Sequence, residues 1–301
     1  MIGSRALGVC FCFFWNSPEQ SSVRNDHPIH RHSNLLLMDL LLDEKLALVT
    51  GSTAGIGLAI AEGLARENAR VIVNGRTETR VTAAIANIRK KSPRARLESY
   101  PGDLSDAAVC EALVAKYPDV DILINNLGIF NPQPFEQVSD AEWRRFFEIN
   151  VLSGVRLSRY YLPGMKQKNW GRIVFISSES AIQIPVEMIH YGFTKTAQLA
   201  VSRGLAEMTA GTGVTVNSVL AGPTASEGVS DFVGKLASQA SQTPAEFEKV
   251  FFEKARPTSL LKRFATPEEV ANLVVYVSSP LASATNGAAL RADGGVVRSI
   301  I

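Results

Sequence analysis

The stretch Thr50-Gly51-Ser52-Thr53-Ala54-Gly55-Ile56-Gly57 joins an apolar strand pattern at 46–49 to a helical pattern over 57–67. Glycines permit a tight turn and a close approach of a ligand to the backbone. The helix that follows offers free N–H groups and the positive end of its dipole. A turn with these flanks predicts a site for the phosphates of a nucleotide. The alternative is a glycine-rich turn that serves packing alone.

Strand and helix patterns alternate beyond this turn. Apolar or β-branched strand patterns follow at 70–73, 97–100, 121–124, 172–176, 214–219 and 288–291. Strands that alternate with longer helical patterns imply βαβ units, and continuously apolar strands imply burial on both faces. The sequence therefore predicts an α/β fold with a doubly wound, parallel, seven-stranded sheet in three layers. Ligands bind beyond the carboxyl ends of the strands in such a sheet.

Helices are predicted between the strands, over 77–91, 106–116, 140–168 and 188–209. Because proline disrupts a helix interior, we expect a break near Pro163-Gly164. Helices within 227–277 should break at Pro244 and Pro257 for the same reason. No linker or change in composition divides residues 38–301, which predicts a single domain there.

The bulk composition argues against several classes of protein. The chain has 301 residues, of which 46% are hydrophobic and 20% charged, and a formal net charge of +2. This charge is too small to indicate a nucleic-acid partner, and no apolar run is long enough to predict a membrane span. Three cysteines argue against a disulfide scaffold. His27, His30 and His32 lie in a polar stretch and are interpreted as a chance cluster, so no metal site is predicted.

The N-terminal residues differ from the rest of the chain. Residues 6–15 follow Arg5 and resemble the apolar part of a signal peptide, but the cleavage signal beyond them is poor. Met38-Asp39-Leu40 reads like a natural protein start. We expect residues 1–37 to be a disordered extension or an upstream mis-start, with a targeting segment as the less favoured alternative. The protein is expected to be cytoplasmic.

Tyr191 and Lys195 lie four residues apart, and Ser178 lies 13 residues before the tyrosine. Residues at this spacing share one face of a helix, with Cβ atoms roughly 5–6 Å apart. A tyrosine has an ordinary pKa of about 10, and a nearby ammonium favours its ionised form. The pair therefore predicts a tyrosine that exchanges protons with a hydroxyl or a carbonyl. The alternative is a packed ring beside a solvated ammonium, since such pairs arise by chance in many helices.

The residues above, with the glycine spacing Gly-x-x-x-Gly-x-Gly, resemble the short-chain dehydrogenase/reductase family over about residues 43–296. Within this family, the chain resembles the short single-domain members and is similar to 3-oxoacyl-[acyl-carrier-protein] reductases. Further motifs of the family stand in the same order here: Gly102-Asp103-Leu104, Asn125-Asn126-Leu127-Gly128, Glu148-Ile149-Asn150-Val151, Ile176-Ser177-Ser178, Val216-Asn217-Ser218-Val219 and Ala221-Gly222-Pro223-Thr224. The resemblance implies a Rossmann fold and an enzyme that interconverts a carbonyl and a secondary alcohol.

The resemblance also implies the residues that hold the cofactor. They are Gly51, Thr53, Gly55, Ile56, Gly57, Arg76, Asp103, Leu104, Asn126, Gly128, Tyr191, Lys195, Thr224 and Ser226. Two positions depart from the family pattern: Leu127 replaces an alanine and Ala221 replaces a proline. We expect Leu127 to narrow the cofactor pocket slightly and Ala221 to loosen the loop under the nicotinamide.

The residues after the second strand bear on the choice of cofactor. In this fold an acidic residue there holds the ribose 2′-hydroxyl of NAD, whereas an arginine accommodates the 2′-phosphate of NADP. Gly75 stands where the NAD-selective acid falls in the family, and Arg76 follows it. NADP(H) is therefore favoured. NAD(H) is the alternative, with Arg76 stacked on adenine, and Ala54 supports it because many NADP-linked members carry Arg or Lys at that position.

The resemblance assigns catalytic roles to Asn150, Ser178, Tyr191 and Lys195. Tyr191 exchanges the proton, and Lys195 lowers its pKa and binds the nicotinamide ribose. Ser178 hydrogen-bonds the substrate oxygen, and its spacing from the tyrosine favours it over the competing Ser177. Asn150 holds a water that links Lys195 to solvent. The runner-up function is a non-catalytic dinucleotide-binding sensor or scaffold, and a dehydratase or epimerase of this fold is a further alternative.

The remaining expectations concern the substrate and the assembly of the protein. The resemblance implies a variable substrate lid at about 225–258, where Phe232, Phe251 and Phe252 supply apolar surface. Gln183 and Met188, with Ile184 and Val186 between them, are expected to line the substrate pocket. We expect a ketone or a 3-oxoacyl substrate. The family also implies a homo-oligomer, a dimer or a homotetramer, through the helices at 140–168 and 188–209.

Overall fold

A computed structural model describes residues 38–226 and 242–300. In these residues seven parallel strands form one sheet in the order β3-β2-β1-β4-β5-β6-β7. The strands are β1 (Leu46–Val49), β2 (Arg70–Gly75), β3 (Arg96–Pro101), β4 (Ile122–Asn125), β5 (Gly171–Ser178), β6 (Val214–Ala221) and β7 (Ala289–Ala292). The predicted doubly wound α/β fold is thus confirmed.

Helices cover both faces of this sheet and make it a three-layer structure. They are α1 (Gly55–Arg66), α2 (Glu78–Lys91), α3 (Ala107–Lys116), α4 (Asp140–Phe147), α5 (Ser153–Gln167), α6 (Ile189–Glu207), α7 (Pro244–Lys254) and α8 (Pro267–Val277). One core cluster packs α1, α2 and α8 against the sheet, and the other packs α3, α5 and the end of α6. Because strand residues alternate between the two clusters, β1, β4, β5 and β6 are buried almost throughout.

The predicted break in the helix at 140–168 is wrong in position. Pro163 lies inside α5 on its exposed face, where water can satisfy the carbonyl oxygen that its missing N–H leaves unpaired. The interruption comes earlier, at a π-helical turn over Glu148–Leu152. This turn carries Asn150, so the irregular backbone lies at a residue of the proposed site.

The two other prolines act as the sequence predicted. Pro244 is the first residue of α7, where a missing N–H costs nothing, and Thr243 caps that helix in a capping box with Glu246. The helix ends at Lys254, before Pro257. Residues 1–37, for which an extension was predicted, and part of the predicted lid, including Phe232, lie outside the described residues.

Two structural findings accompany the fold. Among the helices of the described residues, none has the length and the apolar character needed to cross a lipid bilayer. Within residues 38–226 and 242–300, no three His, Cys, Asp or Glu side chains are grouped so that they could hold a metal ion.

Candidate active site

Several of the functional residues predicted from the sequence lie around one cavity at the carboxyl edge of the sheet. The strand order reverses between β1 and β4, and a crevice opens at such a switch point. A cavity of about 750 Å³ lies at this edge. Its wall includes Ile56, Gly128, Ser178, Tyr191, Lys195 and Thr224.

Asn126, which follows β4, fixes the glycine-rich turn that follows β1. Its side-chain amide donates to the carbonyl oxygens of Thr50 at 2.9 Å and of Gly51 at 3.1 Å. A Cβ on Gly57 would fall 2.4 Å from both this amide nitrogen and the Gly51 oxygen. Glycine is therefore required at position 57 by close packing of the turn against Asn126.

The first helix begins at this turn without a side-chain cap. Ala54 stands at its N-cap and makes no side-chain hydrogen bond, whereas Thr77 and Asp106 cap α2 and α3. Gly55 has a φ of +54°, in the region that favours glycine, and a Cβ there would fall 2.9 Å from Cβ of Ser226. The predicted cofactor residue Ser226 thus lies directly over the start of α1.

The end of β2 leaves no space for an acidic side chain. A Cβ on Gly75 would fall 2.3 Å from Cγ2 of Thr53, so the branched threonine occupies the place of a side chain. Arg76 follows with an exposed side chain. This arrangement explains in steric terms why glycine suits position 75.

Asp103 and Leu104 lie after β3 and outside the cavity wall. The Asp103 carboxylate accepts hydrogen bonds from the backbone N–H and the hydroxyl of Ser105, at 3.0 and 2.7 Å. Leu104 is buried, with 1% of its surface exposed. Their roles in cofactor binding remain predictions.

Two adjacent serines end β5, and their hydroxyls point to different partners. Ser177 donates to the backbone carbonyl oxygen of Lys195 at 3.0 Å and so ties β5 to α6. Ser178 donates to the Glu179 carboxylate and accepts from the backbone N–H of Ser180 at 3.1 Å. Both serines line the cavity, and the Ser177 hydroxyl is engaged with the backbone of α6. The choice of Ser178 stays a prediction.

Tyr191 and Lys195 lie on one side of α6, as the spacing predicted. Nζ of Lys195 is 5.6 Å from the centre of the Tyr191 ring and donates to the carbonyl oxygen of Ile176 at 2.9 Å. Phe130 packs edge to face against the Tyr191 ring at 6.5 Å between centroids. The tyrosine is therefore held between an apolar ring and a buried ammonium.

The pKa values of this pair differ from the expectation. Burial raises the pKa of Tyr191 and the charge of Glu179 raises it further, while Ser178 and Arg256 lower it. Burial lowers the pKa of Lys195 to about 8, and Glu179 opposes that effect. The groups that lower the pKa of Tyr191 thus include Ser178 and Arg256.

Asn150 joins three segments of the site. Its side chain accepts from the backbone N–H of Ile129 at 2.8 Å and donates to the Ile129 oxygen and to the Thr194 hydroxyl, each at 3.0 Å. Its backbone carbonyl oxygen accepts from Gln198 at 2.6 Å. A carbonyl oxygen has a second lone pair, so the water assigned to Asn150 remains a prediction.

The substrate side of the cavity is mostly aromatic and aliphatic. Met188 lies in its wall, whereas Gln183 is exposed, lies outside the wall and donates to Thr258 at 3.4 Å. Ile184 and Val186 are also outside it, so the expectation that this whole segment lines the pocket is wrong. The apolar residues of the wall include Phe130, Pro132, Phe247, Val250, Phe251 and Phe264.

Sequence reasoning missed two acidic residues of the cavity wall, Glu179 and Glu187. One signal was present: Glu179 is a carboxylate placed directly after Ser178, in a segment of small and apolar residues. Arg256, which also lies in the cavity wall, is buried and forms ion pairs with both acids.

The two departures from the family pattern have little effect on the cavity. Leu127 packs against a core cluster and lies outside the cavity wall, so the expected narrowing is not found. Ala221 is the last residue of β6 and pairs with Ser178 of β5 and Ala292 of β7. Regular strand pairing therefore holds this position without a proline.

A Rossmann-type sheet with Ser178, Tyr191 and Lys195 around one cavity is typical of one class of oxidoreductase. Residues 45–235 match the short chain dehydrogenase family. The chain belongs to this family, as its motifs predicted.

Relatives span nearly the whole of the described domain. The uncharacterized oxidoreductase YvaG of Bacillus subtilis is 51% identical over 263 residues, which cover 87% of this chain and 100% of YvaG. The 3-oxoacyl-[acyl-carrier-protein] reductase FabG of Aquifex aeolicus is 32% identical, with 86% of this chain and 100% of that one covered. The solved L-sorbose reductase of Gluconobacter frateurii, complexed with NADPH and L-sorbose, is 28% identical. Its TM-score is 0.82, with 87% of this chain and 100% of that chain covered.

Proposed function

We propose that this oxidoreductase reduces a ketone or a 3-oxoacyl substrate to a secondary alcohol and prefers NADPH as the reductant. The observation that carries the proposal is the placement of Ser178, Tyr191 and Lys195 in the wall of one cavity with an apolar far side. Two related proteins support the two substrate classes, since one is a 3-oxoacyl reductase and the other a sorbose reductase.

The residues at the glycine-rich turn fit a dinucleotide. The uncapped start of α1 and the positive φ of Gly55 suit phosphate oxygens. Thr53 fills the space beside Gly75, and the exposed Arg76 guanidinium can bind a 2′-phosphate through several N–H donors. The bound cofactor would supply the hydride, and its nicotinamide end would lie near Gly128 and Thr224.

Tyr191 is the proposed proton donor in the reduction. Its raised pKa keeps the phenol protonated near neutral pH, so the hydroxyl can donate its proton to the carbonyl oxygen as negative charge develops there. Ser178 stabilises that oxygen from the end of β5. Lys195 lies beside the ring with a pKa of about 8, which is suited to return a proton to the tyrosine.

A substrate screen tests the function directly. Ketones, hydroxyketones and 3-oxoacyl thioesters would each be mixed with the purified protein and NADPH, and the decrease of NADPH absorbance would be followed. Turnover of at least one class is expected. Tight NADPH binding without turnover of any carbonyl would favour the sensor or scaffold function instead.

The adjacent serines provide a matched pair of variants. Ser178→Ala is expected to lower kcat by about 10²-fold, because one stabilising group at the reacting oxygen is lost. Ser177→Ala removes only the hydrogen bond to the backbone of α6 and should change thermal stability more than kcat. Equal effects of the two substitutions on kcat would contradict the assignment of Ser178.

The assembly and the location of the protein remain proposals. Phe147 and Phe193 lie 6.4 Å apart and are partly exposed, and Tyr160 on α5 is also exposed. These residues support the predicted homo-oligomer through α4, α5 and α6. A cytoplasmic location is proposed separately and does not rest on these residues. Light scattering of the purified protein distinguishes a monomer from a dimer or a tetramer.

A further inference from the structure

Glu179 is a buried acidic residue next to the proposed catalytic serine. It follows Ser178 directly, begins a short 3-10 helix over Glu179–Ala181, and has only 4% of its surface exposed. A carboxylate is costly to bury unless charged or polar groups pair with it. Its neighbours therefore indicate what the residue does.

Three donors surround the Glu179 carboxylate. One oxygen accepts from the Ser178 hydroxyl. The other accepts from the Ser180 hydroxyl at 3.2 Å and from Nε of Arg256 at 3.1 Å. All three partners are buried, so water competes little for these hydrogen bonds and the carboxylate is fixed in direction.

These contacts constrain what the Ser178 hydroxyl can offer a substrate. A hydroxyl has one proton and two lone pairs. The proton points to Glu179 and one lone pair accepts from the Ser180 N–H. Ser178 can donate to a carbonyl oxygen only when its proton leaves Glu179, so the carboxylate controls the hydrogen bond assigned to this serine.

Arg256 connects this group to the helix on the far side of the cavity. It follows α7, and its backbone N–H donates to the Phe251 oxygen of that helix at 3.0 Å. Its guanidinium also donates to the Glu187 carboxylate at 3.2 Å. One buried side chain thus joins α7 to the residues that flank Ser178 and Tyr191.

We propose that Glu179 and Arg256 are positioning residues of the proton-transfer site, with Glu179 directing the Ser178 hydroxyl and Arg256 holding Glu179 against α7. The proposal rests on the proposed carbonyl–alcohol chemistry of this cavity. Neither residue touches the reacting atoms; both act through Ser178 and through their charges on Tyr191.

The charges predict effects of opposite sign. In the described residues, the charged residues in the wall of the cavity that holds Tyr191 are Glu179 after β5, Glu187 before α6, Lys195 on α6, Lys254 on α7 and Arg256 after α7. The Glu179 charge raises the pKa of Tyr191 and Arg256 lowers it. Neutralising Glu179 should therefore favour phenolate, and neutralising Arg256 should disfavour it.

The test is the pH dependence of alcohol oxidation, in which the ionised tyrosine accepts the proton. Ethyl 3-hydroxybutyrate with NADP+ serves as the probe, and kcat/KM is measured across pH. In Glu179→Gln the acid limb should move to lower pH by about one unit. Loss of Glu179 also removes its effect on the pKa of Lys195, which shifts in the same direction. In Arg256→Met the limb should move to higher pH by about as much.

Two further variants separate charge from position. Glu179→Asp keeps the charge but shortens the side chain. The acid limb of the kcat/KM profile should therefore stay at the wild-type pH, while kcat falls by about tenfold to about a hundredfold. The double variant Glu179→Gln/Arg256→Met removes both charges, and its limb should return close to that of the wild type. Arg256→Met alone leaves the buried Glu179 carboxylate unpaired, which can prevent folding. The double variant avoids this problem because it removes both charges.

The control is another carboxylate–guanidinium pair, Glu142 and Arg145 on α4, with hydrogen bonds of 2.9 and 2.7 Å. The double variant Glu142→Gln/Arg145→Met should leave the pH profile unchanged. An unshifted limb in Glu179→Gln, with a loss of activity matched by its loss of stability, would overturn the proposal. If the wild type fails to oxidise the probe, urea unfolding across pH still tests the Glu179 charge, because loss of that charge in Glu179→Gln should lower the pKa of Lys195 further. This measurement needs no substrate and therefore separates this proposal from the proposed function.

Discussion

The two walls of the cavity are formed by different chemical groups, one mainly by backbone and the other by side chains. On the side of β1 and β4, the backbone wall, backbone groups predominate: the glycine-rich turn, of which Ile56 lines the cavity, the uncapped start of α1, and Asn126 bonded to two carbonyl oxygens. At β5 and α7 the wall is made of side chains from distant parts of the chain, such as Glu179 and Arg256, which are 77 residues apart. A wall made of backbone is encoded locally by glycines, whereas a wall made of side chains depends on tertiary packing.

The largest effect is expected on the side-chain wall, at Tyr191. Tyr191→Phe removes the proton-transfer group without changing the shape of the ring, so kcat should fall by about 10²–10⁴-fold. NADPH binding, measured by fluorescence, should stay close to that of the wild type because the backbone wall is intact. Near-normal turnover would refute the role of Tyr191 and leave the cavity without a proton donor.

The second effect concerns the buried ammonium of Lys195. Its pKa is lowered from 10.5 to about 8, so between these values the unfolded chain binds more protons than the native state. Native stability of the wild type should therefore rise as pH rises through this window. Lys195→Met removes the titration, and its stability relative to the wild type should be greatest near pH 7, by at most about 3 kcal/mol.

Urea unfolding of both proteins at about pH 7 and about pH 10 measures this difference. The advantage of Lys195→Met should shrink at the higher pH. Tyr191→Phe is the control, because it keeps the lysine and should follow the wild type over the lower part of the window. A difference that does not change with pH would contradict the lowered pKa.

The third effect tests the backbone wall through Gly57. In Gly57→Ala the added Cβ would collide with the Asn126 amide and the Gly51 carbonyl oxygen, both at 2.4 Å. Overpacking of this kind costs about 1–3 kcal/mol, and the distorted turn should weaken NADPH binding by at least about tenfold.

Gly164→Ala is the matched control for this substitution. Gly164 lies inside α5 with no atom within 4 Å of an added Cβ. The alanine should raise stability by up to about 1 kcal/mol, because it favours the helix more than glycine does. Equal NADPH affinities in the two variants would show that the turn tolerates a side chain at position 57.

The smallest effect concerns cofactor choice at the rim of the backbone wall. Arg76→Ala should lower kcat/KM with NADPH by about tenfold, because an exposed charge pair with a phosphate contributes about 1 kcal/mol. Activity with NADH should not change. Arg144→Ala on α4 removes another exposed arginine and should leave both values unchanged. A wild-type preference for NADH would contradict the choice of NADP(H).

The sequence predicted the strands well and the helix interruptions less well. All seven strand patterns became strands of one sheet, because buried parallel strands are continuous apolar runs. The break expected at Pro163 was wrong because exposure of that face lets α5 continue, while the interruption lies at the π turn that carries Asn150, whose side chain bonds to Ile129 and Thr194. Those partners are 21 and 44 residues away, so no local pattern reports them.

The residues of the candidate site also fall into two groups, those that the sequence predicted and those that only the structure showed. Gly57, Asn126, Tyr191 and Lys195 were recognisable because each belongs to a motif with fixed spacing. Glu179 stood beside Ser178 in the sequence, yet its contact with Arg256 arises only when α7 folds over the end of β5. The raised pKa of Tyr191 was missed for the same reason, since burial and the charge of Glu179 both depend on the tertiary structure.

The sequence by itself determined the parallel sheet, the family, and the placement of the glycine-rich turn, Ser178, Tyr191 and Lys195 at one edge. Those properties depend on short-range patterns: apolar runs, glycine spacing and helix periodicity. The tertiary structure alone decided which charges surround Tyr191, how the Ser178 hydroxyl is directed, and which aromatic residues line the cavity. Burial and the pairing of charges depend on segments far apart in the chain, and folding brings these segments together.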